Sequence, residues 1–239
     1  MLPSFERAPQ RYVRLGGVMY LAIIGLGLFG EVFVRGTLVV PGDATATFNN
    51  IAASPVLWRA GIVGDLLMQV LDLPVIVILY LLLKPVNKGL AVLATFINLI
   101  QTAVLAANKL NLLVPLFLMG DAGYLTAFSA EQLHAASALA INAHGHGFGI
   151  GLVFFGFACL VRGCLIFQSG YLPKTLGVLL FVAGLSYLAN SFALLLAPAL
   201  ADAMFPTVLA SAFVGELSFA LWLTVKGVTM KRWPARIAR

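Results

Sequence analysis

The chain has 239 residues, 61% of them hydrophobic and only 10% charged, against about 45–50% and about 25% in soluble globular proteins. That excess cannot be hidden inside one water-soluble core, and no polar connection is long enough to fold separately, so residues 1–239 read as a single polytopic membrane domain. The net charge of +6 does not indicate nucleic acid, because its placement is that of a topology signal beside anionic lipid.

Apolar runs of about 20 residues, enough to cross a hydrocarbon layer of ~30 Å at ~1.5 Å per residue, recur six times. The predicted spans lie near 13–34, 57–83, 89–115, 136–163, 175–197 and 206–228, an all-α bundle of six transmembrane helices. The first run follows Arg11 and Arg14, outlasts a signal-peptide core of roughly 7–15 residues and ends without a small-x-small cleavage site, so it is expected to stay. It carries Glu31 near its outer rim, beside Arg35. Pro41-Gly42-Asp43 then opens the outer loop, where Asp43 is placed to cap a short helix lying on the surface.

The second span carries Asp65, Gln69 and Asp72, which at ~100° per residue fall on one stripe about 40° wide, with the two carboxylates ~10 Å apart. Pro74 follows, and its ring removes the backbone bond to Val70. The third span contributes Asn98, Gln101, Asn108 and Asn111, with Lys109 near the outer end as either a snorkelling side chain or the partner of an acid. Ser129-Ala-Glu-Gln132 has capping-box spacing. A helix running from there to about Phe167 would be ~55 Å long, so it must project, tilt or break.

The fourth span contains Asn142-Ala-His144-Gly-His146-Gly-Phe-Gly149-Ile-Gly151. Its glycines permit either close helix packing or an opened backbone lining a cavity. His144 and His146 are separated by about 200° of rotation, poor for zinc, whose helical ligand pairs stand three or four apart. Asn142 and His146 share a face. Cys159 and Cys164, five apart, suggest neither a disulfide nor a metal pair and read as buried small residues. Ser186 and Asn190 stand one turn apart in the fifth span, and Glu216 lies near mid-depth in the sixth.

With the N-terminus inside, the cytoplasmic segments hold Arg7, Arg11, Arg14, Lys84, Lys88, Arg162, Lys174, Lys226, Lys231, Arg232, Arg236 and Arg239, and the other side only Arg35, Arg59 and Lys109. This positive-inside pattern puts both termini in the cytoplasm of a multi-pass protein, expected in a bacterial inner membrane. By depth, Asp65, Asp72, Gln101, Asn108, Asn142, His144, His146, Asn190 and Glu216 all fall between mid-membrane and the outer surface. Ionisable groups at that depth cost roughly 2.5–3.5 kcal/mol each on insertion scales and should face the bundle interior. They are expected to line a polar cavity in its outer half, acidic in sign because Lys109 is its one clear cation.

The chain resembles the bacterial membrane proteins catalogued as domain of unknown function 4386, from about Arg14 to Val228. The resemblance is carried by Gly30-Glu31-Val-Phe-Val-Arg35, Pro41-Gly42-Asp43-Ala44, Arg59-Ala-Gly-Ile-Val-Gly-Asp65-Leu-Leu-Met68, Leu83-Lys84-Pro85-Val86-Asn87-Lys88, Asn142-Ala-His144, Ile150-Gly-Leu-Val-Phe-Phe-Gly156, Ser169-Gly-Tyr-Leu-Pro173 and Gly215-Glu216-Leu217. It implies architecture rather than activity. The family pattern often has Arg at Asn98, a polar or acidic residue at Gly149, His at Ala158 and Asp at Asn190, so this chain lacks several ionisable groups and weight shifts to Asp65, Asp72, His144 and Glu216.

Three functions are consistent with these residues. The first is a carrier or binding protein for a small solute, cation or proton, with Asp65, Asp72 and Glu216 as exchangeable carboxyls, His144 or His146 as a relay, and Gln101, Asn108 and Asn142 lining the site. The second is an intramembrane enzyme acting on lipid or quinone by acid–base chemistry. The third is a sensor or partner subunit. No cofactor is predicted; a metal ion is left open, with His144, His146 and Asp65 as its ligands. Membrane lipids are the expected surroundings, and a homo-oligomer is open.

Overall fold

The computed structural model describes residue 5 and residues 8–229. It is all-helical, 88% helix, with no strand among the described residues. In chain order the elements are α1 Pro9–Leu38, α2 Ala44–Ala53, α3 Pro55–Leu83, α4 Lys88–Leu118, a short turn Gly123–Ala127, α5 Ala130–Ser169, α6 Lys174–Leu196 and α7 Pro198–Val225. Helices α1, α3, α4, α5 and α6 are long and apolar enough to cross a membrane, and α7 adds the shorter apolar stretch Ala210–Val225. These six helices pack in sequence order, and α7 returns to α1, so the bundle is a closed ring.

Local chemistry explains the ends. The Asp43 carboxylate accepts from the Ala46 N–H at 2.8 Å and starts α2, the surface helix anticipated from its sequence. Asn87 starts α4 in the same way, accepting from Leu90 N at 3.0 Å. Ser129 and Gln132 form the expected reciprocal box at the start of α5, and Gly170, at φ 76°, ends that helix in the left-handed conformation glycine tolerates. Gln10 clamps the end of α7: its Nε2 donates to the Lys226 carbonyl and its Oε1 accepts from Val228 N. The start of α1 and the end of α7 therefore lie at one end of the ring.

Helix α5 runs unbroken for 40 residues. Of the two roles open to the glycines at 145–151, packing applies to three: a Cβ on Gly147, Gly149 or Gly151 would strike Asn108, Leu194 or Leu105, while Gly145 faces open space. The closest backbone approach lies further along. A Cβ on Gly163 would sit 2.7 Å from the Gly177 carbonyl, and one on Gly184 2.7 Å from the Gly156 carbonyl. Two glycines seven apart on α5 thus meet two seven apart on α6, and the helices touch through their backbones.

Two apolar clusters hold the ring. The inner one contains Val13, Tyr20, Val75, Leu79, Leu82, Leu165, Ile166, Tyr171, Leu180, Phe219 and Leu223. The outer one contains Val34, Leu38, Ile51, Trp58, Ile62 and Leu112, with the Trp58 indole donating to the Leu112 carbonyl at 2.7 Å. On α3 these clusters occupy residues 58–62 and 75–83. Asp65, Gln69 and Asp72 fall between them, so the bundle carries a polar layer between two apolar ones.

Candidate functional site

The outer part of this layer is built where two helices depart from regular geometry. α1 widens to a π-helix over Phe29–Arg35, and α4 tightens at Lys109, whose N–H bonds the Ala106 carbonyl three residues back at 3.2 Å. Such irregular turns inside long helices change which side chains face inward. Here they bring Arg35 and Lys109 onto the same carboxylate. Arg35 Nη1 donates to Asp65 Oδ2 at 2.8 Å and its Nε to Glu31 Oε2 at 2.8 Å, while Lys109 Nζ donates to Asp65 Oδ2 at 2.8 Å. The Asp65 side chain is 1% exposed. Gly30 makes room for it, since a Cβ there would come within 2.5 Å of Asp65 Oδ1.

Lys109 also faces His144, with Nζ 3.1 Å from Nε2. An ammonium has only donors, so Nε2 accepts and the imidazole is neutral with its proton on Nδ1. Phe148 covers the pair, its ring centroid 5.9 Å from Lys109 Nζ and 6.4 Å from the His144 ring. Asn108 donates to the His144 carbonyl at 2.8 Å and locks α4 to α5 at this level.

In this outer part the expected excess of acid is absent. Two carboxylates, Glu31 and Asp65, meet two cations, Arg35 and Lys109, because the π turn carries Arg35 into the bundle, where a regular outer-rim position had been anticipated. Lys109, open between snorkelling and pairing, is paired. Arg59 is exposed.

Deeper in the layer, Asp72 Oδ2 accepts from Asn98 Nδ2 at 2.8 Å and from the Thr102 hydroxyl at 2.7 Å, and Asn98 Nδ2 also reaches Gln101 Oε1 at 2.7 Å. Glu216 takes one hydroxyl on each carboxylate oxygen, from Tyr20 at 2.9 Å and from Tyr187. Arg162, counted from sequence among the cytoplasmic charges, is buried at 5% exposure and interacts electrostatically with both Asp72 and Glu216. It lies inside because α5 extends beyond the predicted span to Ser169. Arg7, Lys231, Arg232, Arg236 and Arg239 lie outside the described residues.

The sequence-predicted residues thus separate. Asp65, Asn108 and His144 come together in the outer group, Asp72 and Gln101 in a second, and Glu216 is held by Tyr20 and Tyr187. Asn142 and His146 share a face as their spacing requires, but that face is exposed, and His146 Nδ1 lies 3.0 Å from the Asn142 carbonyl. The 200° between His144 and His146 sends one inward and the other out. Among the described residues, no three His, Cys, Asp or Glu side chains are grouped to hold a metal ion. Arg35, Thr102, Tyr20, Tyr187 and Arg162 complete the layer, beyond the site residues that the sequence indicates. Gly30 beside Glu31 was the available hint for Arg35, whereas hydroxyls inside apolar spans carry no signal that separates function from packing.

A family model described as "Domain of unknown function (DUF4386)" matches residues 15–227. A protein from Archaeoglobus fulgidus (strain ATCC 49558 / DSM 4304 / JCM 9628 / NBRC 100126 / VC-16), described as "Uncharacterized protein", is 30% identical over 168 residues, 70% of this chain and 83% of its own length. No solved structure matches.

Proposed function

Because the chain belongs to the DUF4386 family, whose description carries no activity, we infer the function from the site: a membrane carrier or binding protein that exchanges a proton, and with it a small solute or cation, across the polar layer. We place it in the bacterial cytoplasmic membrane with both termini inside. The observation that carries this reading is the buried run Asp65, Lys109, His144, in which Lys109 Nζ stands 2.8 Å from a carboxylate and 3.1 Å from an imidazole nitrogen able to accept its proton.

Transfer of one proton from Nζ to Nε2 leaves the total charge of the layer unchanged and moves the positive charge away from Asp65. Asp65 keeps Arg35, and Arg35 keeps Glu31, whose side chain is 63% exposed. The run therefore connects the surface of the bundle to the neutral His144 in its interior through Glu31, Arg35, Asp65 and Lys109. Two states of equal net charge, differing in where the cation sits, are what a carrier needs in order to couple protonation to the packing of α3, α4 and α5.

The test is proton flux into sodium-free proteoliposomes carrying an internal pH-sensitive dye, driven by a potassium diffusion potential. The wild-type protein should acidify the lumen, and His144→Gln, which retains a polar side chain but loses the proton acceptor, should slow this about tenfold or more. Flux equal to that of protein-free vesicles, or unchanged by His144→Gln, would contradict the reading.

A further inference from the structure

The inner part of the polar layer is unbalanced. Asp72 and Glu216 are two carboxylates served by one buried cation, Arg162, whereas the outer group is matched charge for charge. A buried charge without a partner is strongly disfavoured, so one positive charge is wanted here. Glu216 is not where it belongs: each of its oxygens already accepts a tyrosine O–H, so both have a donor in place.

Asp72 differs. Both of its donors go to Oδ2, and around it α4 presents Asn98, Gln101 and Thr102 at i, i+3 and i+4, one face of one turn. Asn98 is completely buried, and its carbonyl oxygen Oδ1 has no hydrogen-bond partner, an orphaned acceptor of the kind that native interiors seldom leave without a ligand or water. The nitrogen of the same planar amide, rather than this oxygen, faces Asp72 Oδ2 and Gln101 Oε1; turning the amide over exchanges the two and directs three oxygens at one point.

We propose that Asp72, Asn98, Gln101 and Thr102 form a binding site for a monovalent hard cation of the sodium class between α3 and α4, held by the Asp72 carboxylate, the Thr102 hydroxyl, the Gln101 carbonyl oxygen and, with its amide turned over, the Asn98 carbonyl oxygen. All-oxygen donors select hard cations over transition metals. The charge balance selects a single positive charge, since a divalent ion would overshoot it. A proton on Asp72 would balance the charge with one O–H; the orphaned carbonyl calls for a ligand that engages several oxygens together. The site uses residues separate from Lys109 and His144, so it stands or falls independently of the proton exchange proposed above.

Thermal unfolding of the purified full chain in detergent, in sodium, potassium or choline chloride at equal ionic strength and at two pH values, tests this. Sodium should raise Tm over choline by about 5 °C once its concentration reaches ~100 times Kd. Asp72→Asn leaves Glu216 and Arg162 balanced, so it should unfold in choline no lower than the wild type and lose the sodium shift. Thr102→Val keeps the charge and the shape but removes one oxygen, and should need roughly tenfold more sodium for the same shift. A wild-type Tm identical in sodium and choline overturns the proposal, including the case in which Tm follows pH alone and a proton on Asp72 supplies the balancing charge. A full sodium shift retained in Asp72→Asn overturns it as well.

Discussion

Replacing Asp65 with alanine is expected to destabilise the protein by about 3–5 kcal/mol, the typical cost of removing one partner from a buried ion pair. Two cations lean on that carboxylate, and only one has an alternative: Arg35 retains Glu31 at 2.8 Å, whereas Lys109, 3% exposed, would keep only the neutral His144. In a protein of this length the loss corresponds to a fall in Tm of roughly 10 °C, read by thermal unfolding in detergent. Asp65→Asn preserves the shape and should lose nearly as much, because the charge rather than the volume is what Lys109 lacks. A loss below about 1 kcal/mol for either variant would mean that the outer group is solvated and the ring open at this level.

The second large effect belongs to packing. Gly177→Val should cost about 3 kcal/mol or more, at or above the usual range for overpacking. A Cβ at Gly177 would lie 2.7 Å from the Gly163 carbonyl oxygen and 2.7 Å from Phe167 N, and both are backbone atoms of α5 that cannot rotate aside. α6 would have to move away from α5 along its length, which also opens the contact between Gly156 and Gly184. The measurable result is loss of the monodisperse peak in size-exclusion chromatography or a collapse in Tm. Gly145→Val, on the facing helix α5 but pointing into open space, should leave the peak unchanged.

What could be read from the sequence follows physical locality. The spans depend on hydropathy and length, and the caps at Asp43 and Ser129 on residues three apart, so these were legible. The inward side of α3 was legible too, because Asp65, Gln69 and Asp72 share one stripe whatever surrounds them. The partners of those acids were not. Arg35 reaches Asp65 only through the π turn at Phe29–Arg35, and no composition rule marks such a turn. Arg162 looks like a flanking charge until α5 proves to be 40 residues long. The glycines at 145–151 are the denser cluster, but Gly156, Gly163, Gly177 and Gly184, with their matched spacing of seven, carry the closer backbone contact. His146 shows the opposite error: a residue type rich in chemistry, carried to the exposed face by one step of helical rotation.

The polar layer matters because its charges are coupled, so that altering one changes what the others need. A double-mutant cycle of Asp65→Asn and Lys109→Met, followed by thermal unfolding, measures that coupling. With both replaced, Arg35 and Glu31 still balance each other, so the double variant should be more stable than Asp65→Asn alone, with an interaction energy of about 2 kcal/mol or more. Losses that simply add, leaving the double variant the least stable of the set, would show that Asp65 and Lys109 are independent neighbours and would contradict the account.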